Sequence, residues 1–460
     1  MDQAGRDIAA SFRRHLPVAR QAALLAGGGN NGGDALTAGA ILARGGMPVA
    51  VYLGTSQRSA LVEARLQALL ALPGTRLAPW HERPGPDCGL IDGLLGTGLS
   101  APLRSDMRAY LEQAAVWQLP TIACDLPSGL DADSGVALGR LPKATATVAL
   151  GAVKPGLLLA DGPALAGAVE LCDLGMTPEE LGVHRWWLTV DEVPAPAFAA
   201  REHKGQRGRV LILAGSPGMA GAAALATLGA LRAAAGLVRL AVDQALEPRY
   251  TAICPEATTL ALAPDLAAAT GALGQAVSEG FGVVAAGPGL GRGERAKELL
   301  SALFSSPWQK LVLDADALWH LAHGLSWPTR PKSVVLTPHQ GEFEALFPDL
   351  SDTPVVAAET ASRRAGATIL LKGPTTIVSD GSHTTLLTGA SDVLAQGGSG
   401  DVLSGLLAAI LARTEDPRQA AVQAAAIHGR ASRLLLAERG HGAGARALAE
   451  LIPQAMARPA

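Results

Sequence analysis

Aromatic residues make up only 3% of this 460-residue chain and charged residues only 17%. The first scarcity argues against base-stacking platforms for single-stranded nucleic acid. The second comes with a formal net charge of −3 and no polybasic run, so the electrostatic footprint of a nucleic-acid binder is missing. Cysteine is scarce too. Cys88, Cys124, Cys172 and Cys254 form no C-x-x-C pair and lie in or near apolar stretches, as buried reduced thiols of a cytoplasmic protein would. No apolar run of spanning length is free of charge; the Ala-rich AGAAALATLGALRAAAG is interrupted by Arg232, so no membrane partner is expected. The opening MDQAGRDIAASFRRHLPVAR has no apolar h-region and does not read as a signal peptide. No G-x-x-x-x-G-K-[ST] occurs anywhere, which excludes a P-loop ATPase.

What remains is a globular composition, 48% hydrophobic, with length for two or three domains. Short apolar runs alternate with helical patterns. AALLAG, PVAVYL, CGLIDGLL, TIACDLPSG, TATVALG and AVELCDLG read as strands, with a helix from about Asp34 to Arg44. Such alternation specifies a parallel sheet covered on both faces. The stretch HRWWLTVDEVPAPAFAAREHKGQRG breaks the pattern, with Pro194 and Pro196 marking an extended linker. The alternation then restarts at GRVLILAGS and runs to HTTLL before two C-terminal helices. The expected division is a first domain over 1–185, a linker over 186–202 and a second domain over 203–460. Both domains are expected to be three-layer α/β: a Rossmann-like parallel sheet first, then a mostly parallel sheet.

In LLAGGGNNGGDALTAG, Gly27, Gly29 and Gly32 fit the dinucleotide fingerprint G-x-G-x-x-G. A nicotinamide site of that kind needs an acidic residue at the end of the second strand. That strand ends Val51-Tyr52-Leu53-Gly54-Thr55, so the fingerprint lacks its partner. A plain Gly turn accounts for the glycines but not for Asn30, Asn31 and Asp34. Asp92 in LIDGLLGTGLSAP and Asp125 in ACDLPSGLDADSG also follow strands, so the three polar segments should meet at one sheet edge. Carboxylates with Asn and Ser oxygens make a hard-oxygen cation site, and GTGLSAP offers backbone N–H groups to a phosphate. Each aspartate taken alone reads equally well as a turn cap.

GGGNNGGDALTAGAILARGG, LIDGLLGTGLSAPLR and CDLPSGLDADSGV resemble, in order over roughly residues 1–175, the epimerase domain of the bifunctional NAD(P)H-hydrate repair enzymes. The resemblance implies interconversion of R and S hydrated NADH and NADPH. It implies a potassium ion on Asn31, Asp92 and Ser128. It places Asn30, Asn31, Gly32, Gly33, Asp34, Gly96, Thr97, Gly98, Leu99, Ser100, Ala101, Pro102 and Asp125 against the hydrated dinucleotide, with Asp125 for acid/base work. In the family a further helix precedes the stretch resembling MDQAGRDIAA, so the domain is expected to be N-terminally short. Ala35 and Cys124 stand where Gly and an aliphatic residue are expected.

The sharpest signal is AQGGSGDVLSGLLAAILAR, a Gly-rich turn leading directly into a helix whose N–H groups and dipole form an anion hole. Asp401 in its first turn reads either as a favourable N-terminal charge or as a general base for phosphoryl transfer. Four glycine-flanked turns accompany it: GSPGMAGA, AAGPGLGRG, TPHQGEFEAL and LKGPTTIV. With HKGQRGRVLILAGSPGMAGAAALA and LVLDADAL, they resemble the ribokinase-like ADP- or ATP-dependent NAD(P)H-hydrate dehydratases across about 203–405. The resemblance implies that Ala222, Gly289, His339 and Asp401 contact the hydrated dinucleotide. It implies that Lys372, Gly373, Pro374, Thr375, Thr376 and Gly400 hold ADP or ATP, with Mg²⁺ spreading the phosphate charge. His339 also reads as a helix-start histidine beside Pro338, and Lys204 as a linker charge. Ser391-Asp392 and Gln396 depart from the family's Asn-Pro and Thr, so nucleotide contacts are expected to differ there.

Together these features imply repair of NAD(P)H-hydrate: epimerisation, then nucleotide-driven dehydration through a phosphorylated hydrate. The alternatives are a ribokinase-like small-molecule kinase of vitamin or hydroxymethylpyrimidine type fused to a ligand-binding domain, and a first domain that is only a protein-binding module. The sequence is compatible with a homo-oligomer and does not specify one.

Overall fold

Apolar runs of four to seven residues bounded by Gly and Pro become strands, and the Ala-rich stretches between them become the covering helices. The structure is a computed structural model that describes residues 1–98, 103–178, 180, 182–199, 201–328, 333–351 and 353–457. The chain divides into Met1–Val183 and His184–Ala460.

The first unit runs α1 (Asp2–His15), β1 (Gln21–Ala26), α2 (Asn30–Arg44), β2 (Val49–Leu53), α3 (Ala60–Leu70), β3 (Thr75–Leu77), β4 (Cys88–Gly93), α4 (Ser105–Trp117), β5 (Thr121–Cys124), β6 (Ala146–Leu150), α5 (Gly162–Leu165) and β7 (Ala168–Cys172). Its sheet has the order β3-β2-β1-β4-β5-β6-β7, parallel throughout. Strand order reverses between β1 and β4, the switch point where such sheets bind ligands. Ile8 and Phe12 of α1 and Leu36 and Leu42 of α2 pack on Leu24, Ile91 and Ile122 of the strands. Helix α2 starts earlier than its sequence suggests: Gly29 is its N-cap, so Asn30 to Asp34 are helical rather than loop.

The second unit runs β8 (Arg185–Thr189), β9 (Arg209–Leu213), α6 (Ala220–Arg232), β10 (Leu237–Asp243), α7 (Glu247–Ile253), β11 (Thr258–Leu262), α8 (Leu266–Ser278), β12 (Val283–Ala286), α9 (Glu294–Ser305), β13 (Lys310–Leu313), α10 (Asp316–Ala322), β14 (Ser333–Leu336), α11 (Gln340–Leu346), α12 (Pro354–Ala365), β15 (Thr368–Leu371), β16 (Thr376–Ser379), β17 (Thr384–Thr388), α13 (Ser399–Leu411), α14 (Pro417–Arg439) and α15 (Gly444–Met456). The strand order is β11-β10-β9-β12-β13-β14-β15-β16-β17-β8. Pairing is parallel except where β16 meets β15 and β17. The switch point lies between β9 and β12.

Two expectations need correcting. The segment 186–202 is not a free linker. β8 pairs with β17, Arg185 forks onto the buried Glu359 at 2.8 and 3.0 Å, and Val190 and Val193 join the core. The β-rich RWWLT outweighs the prolines that follow it. Three helices, not two, close the chain, because glycines at 440, 442 and 444 take positive φ and end α14. All four cysteines are free and buried, and among the described residues no helix is long and apolar enough to cross a membrane.

Helix α13 is buried along nearly its whole length and touches α6 through glycine. A Cβ on Gly405 would run into the carbonyl oxygen of Ala226, and one on Gly229 into that of Val402. Gly405→Ala should therefore cost about 1–3 kcal/mol. Denaturant unfolding should show a lower midpoint than wild type; an unchanged midpoint would mean the helices are not in backbone contact.

Candidate active sites

In the first unit, three polar turns meet beyond β1, β4 and β5. Asn31 donates from Nδ2 to the carbonyl oxygens of Leu95 (2.6 Å) and Cys124 (2.9 Å). Asp92 is 1% exposed. It accepts from the Ser128 backbone N–H (2.9 Å) and hydroxyl (2.6 Å), while Ser128 Oγ accepts from Leu95 N–H (2.9 Å). Burial pushes the Asp92 pKa up, against the pull of the Ser128 hydrogen bonds. Among the described residues no cationic side chain pairs with Asp92, and a buried charge without a counter-charge is costly. A carboxylate, a hydroxyl, an amide and two carbonyls converging here fit a hard monovalent cation.

Beside this cluster is a cavity of about 710 Å³ whose walls include Asn30, Asn31, Asp34, Gly96, Thr97, Gly98 and Asp125. Gly32 and Gly33 are buried in the first turn of α2 behind it. Leu99, Ser100, Ala101 and Pro102 lie outside the described residues. Burial, reinforced by the negative charge of Asp125, pushes Asp34 up to about 6 although the terminal amino group pulls it down. Asp125 holds φ at +67°, a strained conformation for a residue with a Cβ. Its Oδ1 accepts from Leu150 N–H (2.9 Å) and from the Lys154 ammonium. Sequence reasoning missed Lys154; its only signal is the Lys-Pro-Gly that opens a turn after β6.

In the second unit the predicted site residues gather at the carboxyl ends of β12 to β15 and the start of α13. Gly289 has φ +56°, and a Cβ on it would press on Met219 and Ala222, so the loop after β12 lies on the start of α6. His339 is the N-cap of α11. Its Nδ1 accepts from Gly341 N–H (3.1 Å) and Glu342 N–H (3.3 Å), and Glu342 accepts from His339 N–H (2.9 Å). That is a capping box, and the imidazole is otherwise exposed.

Lys372, Gly373, Pro374, Thr376 and Gly400 line one cavity of about 490 Å³, floored by Leu394 and Leu403. Thr375 is buried and does not line it. Ala222, Gly289, His339 and Asp401 do not line it either. The cavity opens at the first turn of α13, whose N–H groups have no i−4 partners and whose dipole favours negative charge. Gly398 caps the helix at φ +92°.

Asp401 stands in that first turn. Burial, with the negative charge of Asp314 added and Lys372 opposing, pushes it up to about 6. Asp314, Ser404 and His428 were not singled out from the sequence. Asp314 is 2% exposed; it pairs with Lys372 Nζ at 2.8 Å and accepts from Ser404 Oγ at 2.6 Å. Burial lowers the Lys372 pKa, but Asp314, Glu342 and Asp401 outweigh that and leave it raised. His428 lines the cavity, with Nε2 3.0 Å from the Ser399 carbonyl, and burial lowers its pKa to about 4. Asp314 carried a signal, the strand-end Asp of LVLDADAL. Ser404 and His428, inside Ala- and Leu-rich helices, carried none.

Residues 210–454 match the family described as NAD(P)H-hydrate dehydratase, and residues 1–156 that described as YjeF-related protein N-terminus. A bifunctional NAD(P)H-hydrate repair enzyme of Pyrobaculum aerophilum is 32% identical, over 100% of this chain and 93% of the relative. That of Gloeobacter violaceus is 37% identical, over 95% and 89%. Among solved structures, a ribokinase-like superfamily protein of Enterococcus faecalis aligns with a TM-score of 0.55 at 25% identity, covering 60% of this chain and 98% of that one. The ADP/ATP-dependent NAD(P)H-hydrate dehydratase of Bacillus subtilis, co-crystallised with ATP/Mg²⁺, aligns at 0.50 with 29% identity, covering 61% and 96%. With two family matches in tandem and full-length relatives, this chain belongs to the bifunctional NAD(P)H-hydrate repair enzymes.

Proposed function

We propose that the first unit interconverts the R and S forms of NAD(P)H-hydrate, and that the second dehydrates the S form at the expense of ADP or ATP. In the second unit Asp401 takes the proton from the hydroxyl of the hydrated nicotinamide ring as the terminal phosphate of the nucleotide is transferred to that oxygen. Lys372 and the first-turn N–H groups of α13 hold the incoming phosphate. The ring nitrogen's lone pair then expels phosphate from carbon, the neighbouring carbon gives up a proton, and NAD(P)H is restored. Hydroxide is a poor leaving group and phosphate a good one, so nucleotide cleavage is what makes the loss of water practical.

The observation that carries this reading is the Asp401 carboxyl, raised to about 6, in the first turn of a buried helix whose Gly400 lines a cavity of about 490 Å³ together with Lys372. Mg²⁺ would come with the nucleotide's phosphates and spread their charge. Among the described residues the chain offers no cluster of three acidic, His or Cys ligands of its own. In the first unit Asp92, Asn31 and Ser128 would hold K⁺, which would supply the counter-charge that buried Asp92 lacks. Asp125, paired with the Lys154 ammonium, is the acid/base group for inversion, with Asp34 and the turn after β4 contacting the substrate.

Asp401→Asn should abolish dehydration and spare epimerisation, read by recovery of NADH absorbance from each hydrate epimer. A stable phosphoester accumulating with wild-type enzyme would instead favour a kinase. Because a base must be ionised, wild-type dehydration should fall as pH drops through about 6. The stability sign is opposite: a carboxyl raised above its free value is at ease when protonated and loses that advantage as pH rises through its folded pKa. Asp401→Asn should accordingly raise Tm by a few degrees at pH 8, and a lowered Tm would contradict the assignment. For the first unit, KCl should raise Tm relative to tetramethylammonium chloride, and Asp92→Asn should remove that difference. A K⁺ effect that survives in Asp92→Asn would place the cation elsewhere.

A further inference from the structure

We infer that Asp314 is a positioning residue for phosphoryl transfer: it holds Lys372 at the mouth of α13 and so keeps the ammonium from pairing with Asp401. The inference rests on the reading of Asp401 as the base.

Three carboxylates act on the charge of one ammonium. Asp314 is the nearest at 2.8 Å, Glu342 lies at 3.8 Å, and Asp401 is close enough to act on the charge of Lys372. Asp314 is too buried to meet a substrate. Both of its oxygens are committed, Oδ1 to Lys372 and Oδ2 to Ser404. Ser404 lies one turn beyond Gly400 and also reaches the Gly400 carbonyl at 3.1 Å. Asp314 therefore ties together the end of β13, the turn after β15 and the first two turns of α13. Lys372 Nζ comes to 3.4 Å, and Asp314 Oδ2 to 3.8 Å, from where a Cβ on Gly400 would stand. Glycine at 400 leaves the ammonium its place beside the helix's first N–H groups.

Competition decides the outcome. The Asp314 carboxylate draws Lys372 inward, to the shortest and most buried of its ion pairs. Asp401 then meets the substrate hydroxyl as a carboxylate with no cation paired to it. With asparagine at position 314, Lys372 retains Glu342 and Asp401, and a direct pair with Asp401 would lower its proton affinity by about 1–3 pKa units. A weaker base would then face the hydroxyl, and the phosphate would lose its cation.

The other groups around the start of α13 do not substitute. Asp316 is engaged by Arg292 at 3.1 Å and by Gly291 N–H at 2.9 Å. α14 presents His428, whose pKa burial lowers to about 4, and α15 presents Ala445 against Gly398. α6 has no charged side chain before Arg232 at its far end.

The test is Asp314→Asn in the full chain, with S-NADH-hydrate, ADP or ATP and Mg²⁺, reading kcat and nucleotide KM across pH 5 to 9 together with Tm. The expected result is a kcat lower by about 100-fold, the scale of a misplaced catalytic group. Nucleotide KM should rise, and the acid limb of the profile should move down by about one pH unit. Ser404→Ala keeps the charge but loosens Asp314, so it should lower kcat less and leave the acid limb in place. A folded Asp314→Asn with wild-type limb and nucleotide KM overturns the inference. Should that variant fail to fold, Ser404→Ala with wild-type kcat overturns it. The parent reading fails separately, through an active Asp401→Asn, and in that event the nucleotide KM of Asp314→Asn still reports on Lys372.

Discussion

Everything in the second unit depends on a helix start stripped of side chains. Gly398 turns into α13 at positive φ, and Gly400 admits the Lys372 ammonium. Asp401, one residue on, is left as the carboxylate at that opening. The arrangement strains stability: two carboxylates and an ammonium sit in a largely buried site, and Asp401 binds its proton more tightly than a free carboxyl. The fold offsets this by driving the rest of α13 into the core, where it lies against α6 through glycine contacts. A buried helix thereby fixes the position of the first turn and of the carboxylate it carries.

The first unit meets an analogous constraint with different means. Its parallel sheet brings Asp92 to the edge fully buried, and the neighbouring turn answers with the Ser128 N–H and hydroxyl rather than with a lysine or arginine. Asp125, three residues before Ser128, does have its cation in Lys154. Two carboxylates on one sheet edge are thus kept in different electrostatic surroundings, one hydrogen-bonded and without a counter-charge, the other paired with an ammonium.

Much of this was legible in the sequence. The alternation of apolar runs and Ala-rich stretches specified two α/β units, and strand-end aspartates marked the edge of the first unit where the polar side chains cluster, because parallel sheets leave their loops at one edge. The glycine-rich AQGGSGD announced α13. The start of α2 was not legible: NNGGD looks like loop, yet Gly29 caps and the asparagines enter the helix. β8 was hidden by the prolines after it, since local punctuation carries no record of β17, the strand it pairs with. Asp314's role depends on Lys372 and Ser404, 58 and 90 residues away, and no periodicity encodes such a meeting.

The central claim is that the hydrate's own oxygen receives the phosphate before it leaves carbon. Labelling that hydroxyl with ¹⁸O and analysing the products of dehydration by mass spectrometry tests it directly. The account predicts that the heavy oxygen emerges in inorganic phosphate. Heavy oxygen recovered in water, with unlabelled phosphate, would show that nucleotide cleavage and loss of the hydroxyl are separate events and would contradict it.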